Sequence, residues 1–262
     1  MTLPAGHNVP MQRKASPTLP EATLRPLSAR SVVLSLLLGS HPPERPVREL
    51  VRGVEQFGIA ESTLRVALTR MVAAGDLNRV DTTYRLSDRL LARQRRQDDA
   101  LSPRLTAWRG DWEIAVVTTA GRGPAERAEL RADLSRLRLA ELREGVWMRP
   151  ANLRRPWPDR LTGLVQRFTA SPDEQASALV RTLWTLEVWA GTARELLELF
   201  RSAARPADRL ATAAAMVRHL VTDPALPAEL LPVDWPGESV RQTYTGYQAE
   251  LIDLVRRATS EG

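Results

Sequence analysis

The chain has 262 residues, a formal net charge of +6 at pH 7 and no cysteine. The lack of cysteine excludes disulfide bonds, thiolate nucleophiles and thiol-ligated metal sites. The length exceeds that of a usual single domain and predicts roughly two or three domains.

We expect no export signal in residues 1–26. Residues 1–26 are rich in proline, lack the apolar core of a signal peptide, and predict a flexible arm. The longest apolar run, Val32–Leu38, is interrupted by Ser35 and is too short to cross a bilayer. We therefore expect a cytoplasmic protein with no membrane partner.

Two helices are predicted after the arm. Ser28 is a suitable N-cap for a helix through the apolar run, and Gly39 with Pro42 and Pro43 would end that helix. A second helix would begin at Pro46. Its predicted apolar stripe consists of Val47, Leu50, Val51, Val54 and Phe57.

The segment between Gly58 and Gly75 predicts a third helix, bounded by two turn-forming glycines. Leu64, Leu68 and Met71 share its apolar face. The opposite face suits the DNA major groove, because arginine reaches guanine, hydroxyls reach bases or phosphates, and valine meets a thymine methyl. The residues expected to read bases are Ser62, Thr63, Arg65, Val66 and Thr69. Taken alone, the segment fits an ordinary surface helix equally well.

A short β-ribbon is predicted next, with strands at 77–80 and 84–86 joined by a turn. Three helices followed by a ribbon indicate a winged helix-turn-helix over residues 27–98. The ribbon carries few basic residues, so it is expected to contact phosphates rather than bases. The expected phosphate contacts are Arg70, Arg79, Thr83 and Arg85.

Basic residues are concentrated in the same part of the chain. Residues 1–96 contain 15 lysines and arginines against 8 acidic residues, a net charge of +7, whereas the remaining residues have a net charge of −1. This distribution favours a polyanionic partner, namely double-stranded DNA. A solvated charged helix is the alternative for the arginines beyond the ribbon, which are Arg89, Arg93, Arg95 and Arg96.

Residues 105–172 predict a middle domain of mixed helix and strand. A buried strand is indicated by Trp112, Ile114, Val116 and Val117. The following helix would bury Leu130, Leu134 and Leu137. Residues 142–153 and 161–170 are predicted as two further strands. This order of elements indicates a small ferredoxin-like α+β domain, and the whole chain is predicted to be a multi-domain α+β protein.

Residues 173–262 predict a helical C-terminal domain with three apolar stripes. The first consists of Ala178, Leu179, Leu183, Leu186, Leu196, Leu197 and Phe200. The second consists of Leu210, Ala214, Val217, Leu220 and Val221, and the third of Val240, Tyr244, Tyr247, Leu251 and Leu254. The four prolines from Pro224 to Pro236 exclude regular helix or sheet there. We expect that segment to be an extended strap anchored by Leu226, Leu230, Leu231 and Trp235.

Catalytic constellations are scarce in the sequence. The histidines, His7, His41 and His219, lie far apart, and phosphate-binding loops, HExxH and GxSxG patterns are absent. The paired carboxylates Asp98 and Asp99 are interpreted as part of a solvated loop. We therefore expect no enzymatic activity, no cofactor, no catalytic residue and no metal site.

Four segments of the chain resemble the PaaX family of bacterial transcriptional regulators, which is named for repressors of phenylacetate catabolism. The segments are the helix region 58–77, the W-x-G-x-W pattern at 108–112, GVWMRPANL at 145–153, and DPALPAELLPVDWPG at 223–237. The resemblance implies a winged helix, a ferredoxin-like middle domain and a helical C-terminal domain, assembled as a homodimer. The sequence departs from the family in its short, weakly basic ribbon and in Asp76, where an aromatic residue is common.

The resemblance also implies a function. The family's dimer binds an inverted-repeat operator and blocks transcription, and phenylacetyl-CoA or a related acyl-CoA releases it. The effector-binding residues are unknown from the sequence. Candidates to line a pocket between the middle and C-terminal domains are Trp108, Trp112, Trp147 and Trp184, for which core packing is the default interpretation. Candidate cations for the CoA phosphates are Arg109, Arg149 and Arg181.

Two alternatives stay open at this point. One is a regulator of an unrelated operon, with another effector or an activating role. The other is a metal-dependent nuclease, because small CRISPR adaptation nucleases contain a similar ferredoxin-like domain. Such enzymes need a metal-binding Asp after the first strand, where this chain has Thr118 and Thr119, and Asp111 lies before the strand.

Overall fold

A computed structural model describes residues 27–119 and 121–260, with side chains described up to residue 258. The arm expected at residues 1–26 lies outside the described residues. The first part of the chain forms α1 (Ala29–Leu38), β1 (Glu44–Pro46), α2 (Val47–Glu55), α3 (Glu61–Ala73), β2 (Leu77–Val80), β3 (Thr83–Leu86) and α4 (Asp88–Leu101).

The first three helices lie where the sequence indicated, but α2 begins at Val47 rather than Pro46 and ends at Glu55, before the predicted Phe57. Ser28 caps α1, because its hydroxyl accepts a hydrogen bond from the Ser31 amide and the Ser31 hydroxyl accepts one from the Ser28 amide. Gly39 follows the last residue of α1, and Pro46 precedes α2. The turn between α2 and α3 contains Gly58 with a φ of 70°. Glycine adopts this left-handed backbone conformation without steric strain.

The wing is a three-stranded antiparallel sheet in the order β1-β3-β2. Strand β1 was not predicted from the sequence; it pairs Glu44 with Arg85 and Pro46 with Thr83. Thr83, which the sequence placed in the turn, begins β3, and the turn itself contains Asp81 with a φ of 52°. The core beneath the wing and helices contains the predicted Leu50, Val54, Leu64, Leu68 and Met71.

Helix α4 corrects the interpretation of Asp98 and Asp99, because both lie within this continuous helix rather than in a loop. The helix also extends past residue 98, where the winged helix was expected to end. Its buried Gln94 donates hydrogen bonds to the carbonyls of Leu38 (3.1 Å) and Ser40 (2.9 Å). These bonds satisfy carbonyls at the C-terminal end of α1 and attach α4 to the winged helix.

The middle of the chain forms β4 (Trp112–Val117), α5 (Pro124–Arg136), β5 (Ala140–Arg143), β6 (Val146–Pro150) and β7 (Val165–Ala170). Its antiparallel sheet has the order β5-β6-β4-β7, which is the strand order of the ferredoxin-like fold. Residues 142–153 are not one strand, as predicted, but include the turn and second strand of a hairpin, because Gly145 turns with a φ of 78°. The last strand begins at Val165 and follows a 3₁₀ turn at Asp159–Leu161.

The remaining helices are α6 (Ala176–Leu183), α7 (Leu186–Ser202), α8 (Pro206–Leu220) and α9 (Gly237–Ser260). Helix α9 packs against α2, and α8 packs against α4, so the C-terminal helices share one apolar core with the winged helix. The third predicted stripe is wrong at its end, because Leu254 is 37% exposed and the neighbouring Val255 is buried. Within the described residues, no helix is long and apolar enough to cross a membrane.

The segment between α8 and α9 is the expected extended strap, broken by one 3₁₀ turn at Ala228–Leu230. Leu226 is buried against Trp112 and Met148 of the middle sheet. At the other end of the strap, the Trp235 ring stacks on Trp189 of α7 at a centroid distance of 4.5 Å. The strap therefore joins the middle sheet to the C-terminal helices.

Candidate DNA-binding surface

Helix α3 presents a polar face to solvent. Its apolar side chains, Leu64, Leu68 and Met71, are at most 2% exposed and pack into the core. The residues expected to contact DNA from this helix are all exposed, namely Ser62, Thr63, Arg65, Val66, Thr69 and Arg70. Val66 is 52% exposed, so its methyl groups are available for contact with a thymine methyl. The face therefore has the arrangement that a recognition helix needs.

Two of these side chains already make contacts within α3. The Arg65 Nε donates to Glu61 Oε1 at 2.7 Å, and the Thr69 hydroxyl donates to the Arg65 carbonyl at 3.0 Å. The Arg65–Glu61 ion pair is largely exposed and spans one helical turn, so it is worth only about 0.3–0.5 kcal/mol. A stronger acceptor such as a guanine edge can replace it at small cost.

The arginines of the wing are held by neighbouring groups. Arg79 donates from Nε to the Asp81 carbonyl at 2.8 Å, and its guanidinium lies 5.9 Å from the Tyr84 ring centroid. Arg85 donates from Nε to Glu44 Oε2 at 2.7 Å, across the β1–β3 pair. Because Glu44 neutralises much of the Arg85 charge, the wing attracts phosphates less than its sequence indicated.

A buried carboxylate fixes the end of the recognition helix. Asp76, which follows α3, accepts hydrogen bonds from Arg30 of α1 (2.8 Å) and from Arg89 of α4. Its side chain is 4% exposed, whereas the two arginines are more than half exposed. At this position the family that the sequence resembles often has an aromatic residue. Here the Asp76 carboxylate instead joins α1 and α4 to the end of α3 through its two arginine partners. It also gives Arg89 a structural contact instead of leaving it free for phosphate.

A groove of about 700 Å³ separates the beginning of α1 from the recognition helix. The residues of α3 that line it include Ser62, Thr63, Val66 and Arg70. Arg30 of α1 and Asp76, which follows α3, also line it. Four of the expected DNA contacts are thus brought together on one concave surface.

The acidic residues near the first strand of the middle sheet have structural partners. Glu113 accepts hydrogen bonds from Arg155 (2.9 Å) and from the Trp157 indole (2.8 Å), and Asp111 accepts one from Ser171 (3.2 Å). Thr118, after the strand, donates its amide to the Leu164 carbonyl. Among the described residues, no group of three His, Asp or Glu side chains is placed to hold a metal ion.

The four tryptophans considered for an effector pocket do not lie together. Ala115 pairs with Trp147 across β4 and β6, so both are on the face that packs against α5. Trp112 is three residues from Ala115 and therefore lies on the other face, where Trp108 and Trp184 pack against its cluster. A single pocket lined by all four is excluded by the sheet register.

Arg149, considered for CoA phosphates, is fully buried and bonded. It donates to the Ala225 carbonyl (2.9 Å), to the Pro224 carbonyl (3.3 Å) and to Asn152 Oδ1 (2.9 Å). Burial lowers the pKa of Arg149 to about 9, so the side chain stays charged at neutral pH. Its donors hold the strap, whereas the other two candidates, Arg109 and Arg181, are exposed.

Comparison with known proteins gives matches along most of the chain. Residues 28–90 match the model of a PaaX-like protein, residues 105–170 that of the PaaX protein central Cas2-like domain, and residues 185–260 that of the PaaX-like protein C-terminal domain. No curated protein matches the sequence.

Among solved structures, the uncharacterized protein Rv0674 from Mycobacterium tuberculosis is similar to this chain. The two sequences are 49% identical, the match covers 88% of this chain and 99% of that one, and the TM-score is 0.78. The three matching segments occur in the order, and over the elements, described above. The chain belongs to the PaaX family of transcription regulators.

Proposed function

We propose that the protein is a sequence-specific DNA-binding regulator, and specifically a dimeric repressor released by an aromatic acyl-CoA such as phenylacetyl-CoA. The observation that carries the proposal is the exposed polar face of α3, held on a winged-helix core by Asp76 and the turn glycines. In this proposal, residues 27–98 bind DNA. Residues 105–172 and 173–262 form the dimer and bind the effector. No catalytic role is proposed.

The residues of α3 have distinct roles in this proposal. Arg65, Val66 and Thr69 face outward at the middle of the helix and read base edges, together with Ser62 and Thr63 near its beginning. The phosphate contacts are Arg70, Arg79, Thr83 and Arg85. Arg70 contributes most of this attraction, because Arg85 is paired with Glu44 and Arg79 with the turn carbonyl.

The dimer supplies the remaining specificity. Two copies of α3 related by a twofold axis fit an inverted-repeat operator when they lie one DNA turn apart, about 34–36 Å. The effector releases the operator by favouring a dimer geometry in which this spacing is lost. The packing of α8 and α9 on α2 and α4 gives the C-terminal helices direct mechanical contact with the winged helix.

A binding titration tests the proposal. Labelled DNA from upstream of the protein's own gene and its neighbours is titrated with the protein, alone and with phenylacetyl-CoA or free CoA. The expected result is specific binding that only the thioester abolishes. If specific DNA binding is unchanged by the thioester, the protein is still a DNA-binding regulator, but phenylacetyl-CoA is not its effector. It would then regulate an unrelated operon or act as an activator.

A second assay separates the regulator from a nuclease. The protein is incubated with labelled DNA or RNA and Mg²⁺ or Mn²⁺. Under the proposal the nucleic acid stays intact. Metal-dependent cleavage that persists through further purification would refute the proposal that the protein has no catalytic role.

A further inference from the structure

A cavity of about 550 Å³ lies where the winged helix meets the C-terminal helices. Its walls come from α1 and α4 on one side and from α8 and α9 on the other. This volume is in the range of pockets that bind small organic molecules. The cavity is separate from the middle sheet, where the tryptophan pocket had been expected.

The wall of the cavity combines apolar and cationic groups. The apolar part includes Leu34 and Leu38 of α1, Val217 of α8 and Leu251 of α9. The polar part includes Arg30, Arg93 and Arg218, whereas none of the described lining residues is acidic. The cavity therefore combines an apolar lining with cationic side chains, of which Arg30 is already paired with Asp76.

Arg93 of α4 is the residue that most needs a ligand. It is half-buried, and no hydrogen bond or ion pair joins it to another described side chain. Burial lowers the pKa of Arg93, the nearby Arg30, Arg96 and Arg89 lower it further, and Tyr244 opposes them. A partly desolvated cation among other cations is unfavourable unless an anion compensates it.

Two neighbours of Arg93 can orient a bound molecule. Gln97 lies one helical turn further along α4; its side chain is buried, and its Oε1 has no hydrogen-bond partner among the described atoms. Tyr244 of α9 also faces the cavity, and burial raises its pKa to about 12, so it carries a neutral hydroxyl. The Tyr244 hydroxyl can donate to a carboxylate bound at Arg93. Gln97 Oε1 is an acceptor, so it pairs with a donor on the ligand or with water and does not itself hold the carboxylate.

We propose that this cavity binds a compact organic carboxylate, with the carboxylate on Arg93 and an apolar body between α1, α8 and α9. As a second regulatory site of a DNA-binding protein, apart from the acyl-CoA site assigned to residues 105–262, it rests on the proposed function. Arg30 provides the link to DNA, because it lines both this cavity and the α1–α3 groove and also holds Asp76. A bound carboxylate competes with Asp76 for Arg30 and so loosens the support of α3.

Direct binding to the full chain tests the site without DNA. Phenylacetate, benzoate and octanoate are titrated by calorimetry, with the neutral phenylacetamide as the matched uncharged ligand. At least one carboxylate is expected to bind at a single site, and phenylacetamide about tenfold or more weaker than phenylacetate, since a hydrogen bond to a charged group contributes about 1.5–3 kcal/mol. Binding of none of the three carboxylates, or equal binding of phenylacetate and phenylacetamide, would overturn the proposal.

Variants locate the site. Arg93→Met is expected to weaken the carboxylate by about tenfold, whereas Arg95→Met, on an exposed position of the same helix, leaves it unchanged. Ala214→Met fills part of the cavity from α8 and is expected to abolish binding without removing a charge. Equal effects of Arg93→Met and Arg95→Met, or full binding by Ala214→Met, would place the ligand elsewhere.

Carboxylate binding and DNA binding, both measured on the wild-type chain, distinguish the two proposals. If the wild-type chain binds carboxylate in the cavity but no specific DNA, the regulator is refuted and the binding site stands. If specific DNA binding responds to phenylacetyl-CoA but no carboxylate enters the cavity, the regulator stands and the carboxylate site is refuted.

Discussion

Replacement of Arg149 by methionine tests whether two sequence motifs form one structural unit. Arg149 and Asn152 belong to GVWMRPANL, and they donate to the carbonyls of Pro224 and Ala225 in DPALPAELLPVDWPG. Methionine fills a similar volume but donates no hydrogen bond. The variant leaves the Pro224 carbonyl without the Arg149 donor, while Asn152 still donates to the Ala225 carbonyl at 3.1 Å.

The expected loss follows from these contacts. Hydrogen bonds from a charged donor contribute about 1.5–3 kcal/mol each, and Arg149 donates such bonds to the Pro224 and Ala225 carbonyls and to Asn152 Oδ1. Removal of the buried cation itself recovers part of its desolvation energy. We expect a net loss of about 3 kcal/mol, which lowers the melting temperature by about 6–12 °C for a chain of this size.

Thermal unfolding and limited proteolysis measure this effect. The strap at 223–237 should be cleaved faster in Arg149→Met than in the wild-type protein, because one of its two attachments is weakened. Arg143→Met, at an exposed position of β5, is the matched control and should stay within about 0.5 kcal/mol of wild type. A loss below about 1 kcal/mol with unchanged cleavage of the strap would refute the role assigned to Arg149.

Three further outcomes are expected. Arg65→Ala should lower specific DNA affinity by about 1–3 kcal/mol in a binding titration, and equal losses on operator and random DNA would make Arg65 a phosphate contact. Asp76→Asn should destabilise the protein by about 1–3 kcal/mol and weaken DNA binding. The control Asp81→Asn, in the exposed wing turn, should do neither. An unchanged melting temperature of Asp76→Asn would contradict the structural role of Asp76. Burial lowers the pKa of His219, so the unfolded chain takes up a proton at a higher pH than the folded one, and stability falls as the pH drops below about 6.5. His219→Gln should remove part of the loss of melting temperature between pH 7.5 and 5.5, and an unchanged loss would exclude His219 as its source.

Most of the helices and strands were predicted correctly because their caps, turns and apolar stripes depend on residues close together in the sequence. The cap at Ser28, the turn at Gly58 and the stripe of Leu64, Leu68 and Met71 are each decided by residues a few positions apart. The hairpin turn at Gly145 is also a local signal, but the apolar residues around it were read as one run. Strand β1 was missed because its three residues, Glu44 to Pro46, carry no alternating pattern and pair only through the distant β3.

The candidate site was predictable as a helix face but not as a set of contacts. Exposure of Arg65 and Thr69 follows from helical spacing, whereas the pairing of Arg85 with Glu44 depends on a strand that the sequence did not indicate. The burial of Arg149 could not be predicted either, since its partners lie about 75 residues away in the strap. The cavity around Arg93 depends on helices from both ends of the chain, and only the fold brings them together.

Sequence-specific DNA binding by α3 is the central claim, and a competition titration tests it most directly. The protein is bound to labelled DNA from upstream of its own gene and is then challenged with unlabelled DNA of the same or of scrambled sequence, at physiological salt. The account predicts that the scrambled DNA competes at least about 10³-fold less well, and that Arg65→Ala narrows the difference. Equal competition by both DNAs would contradict the claim.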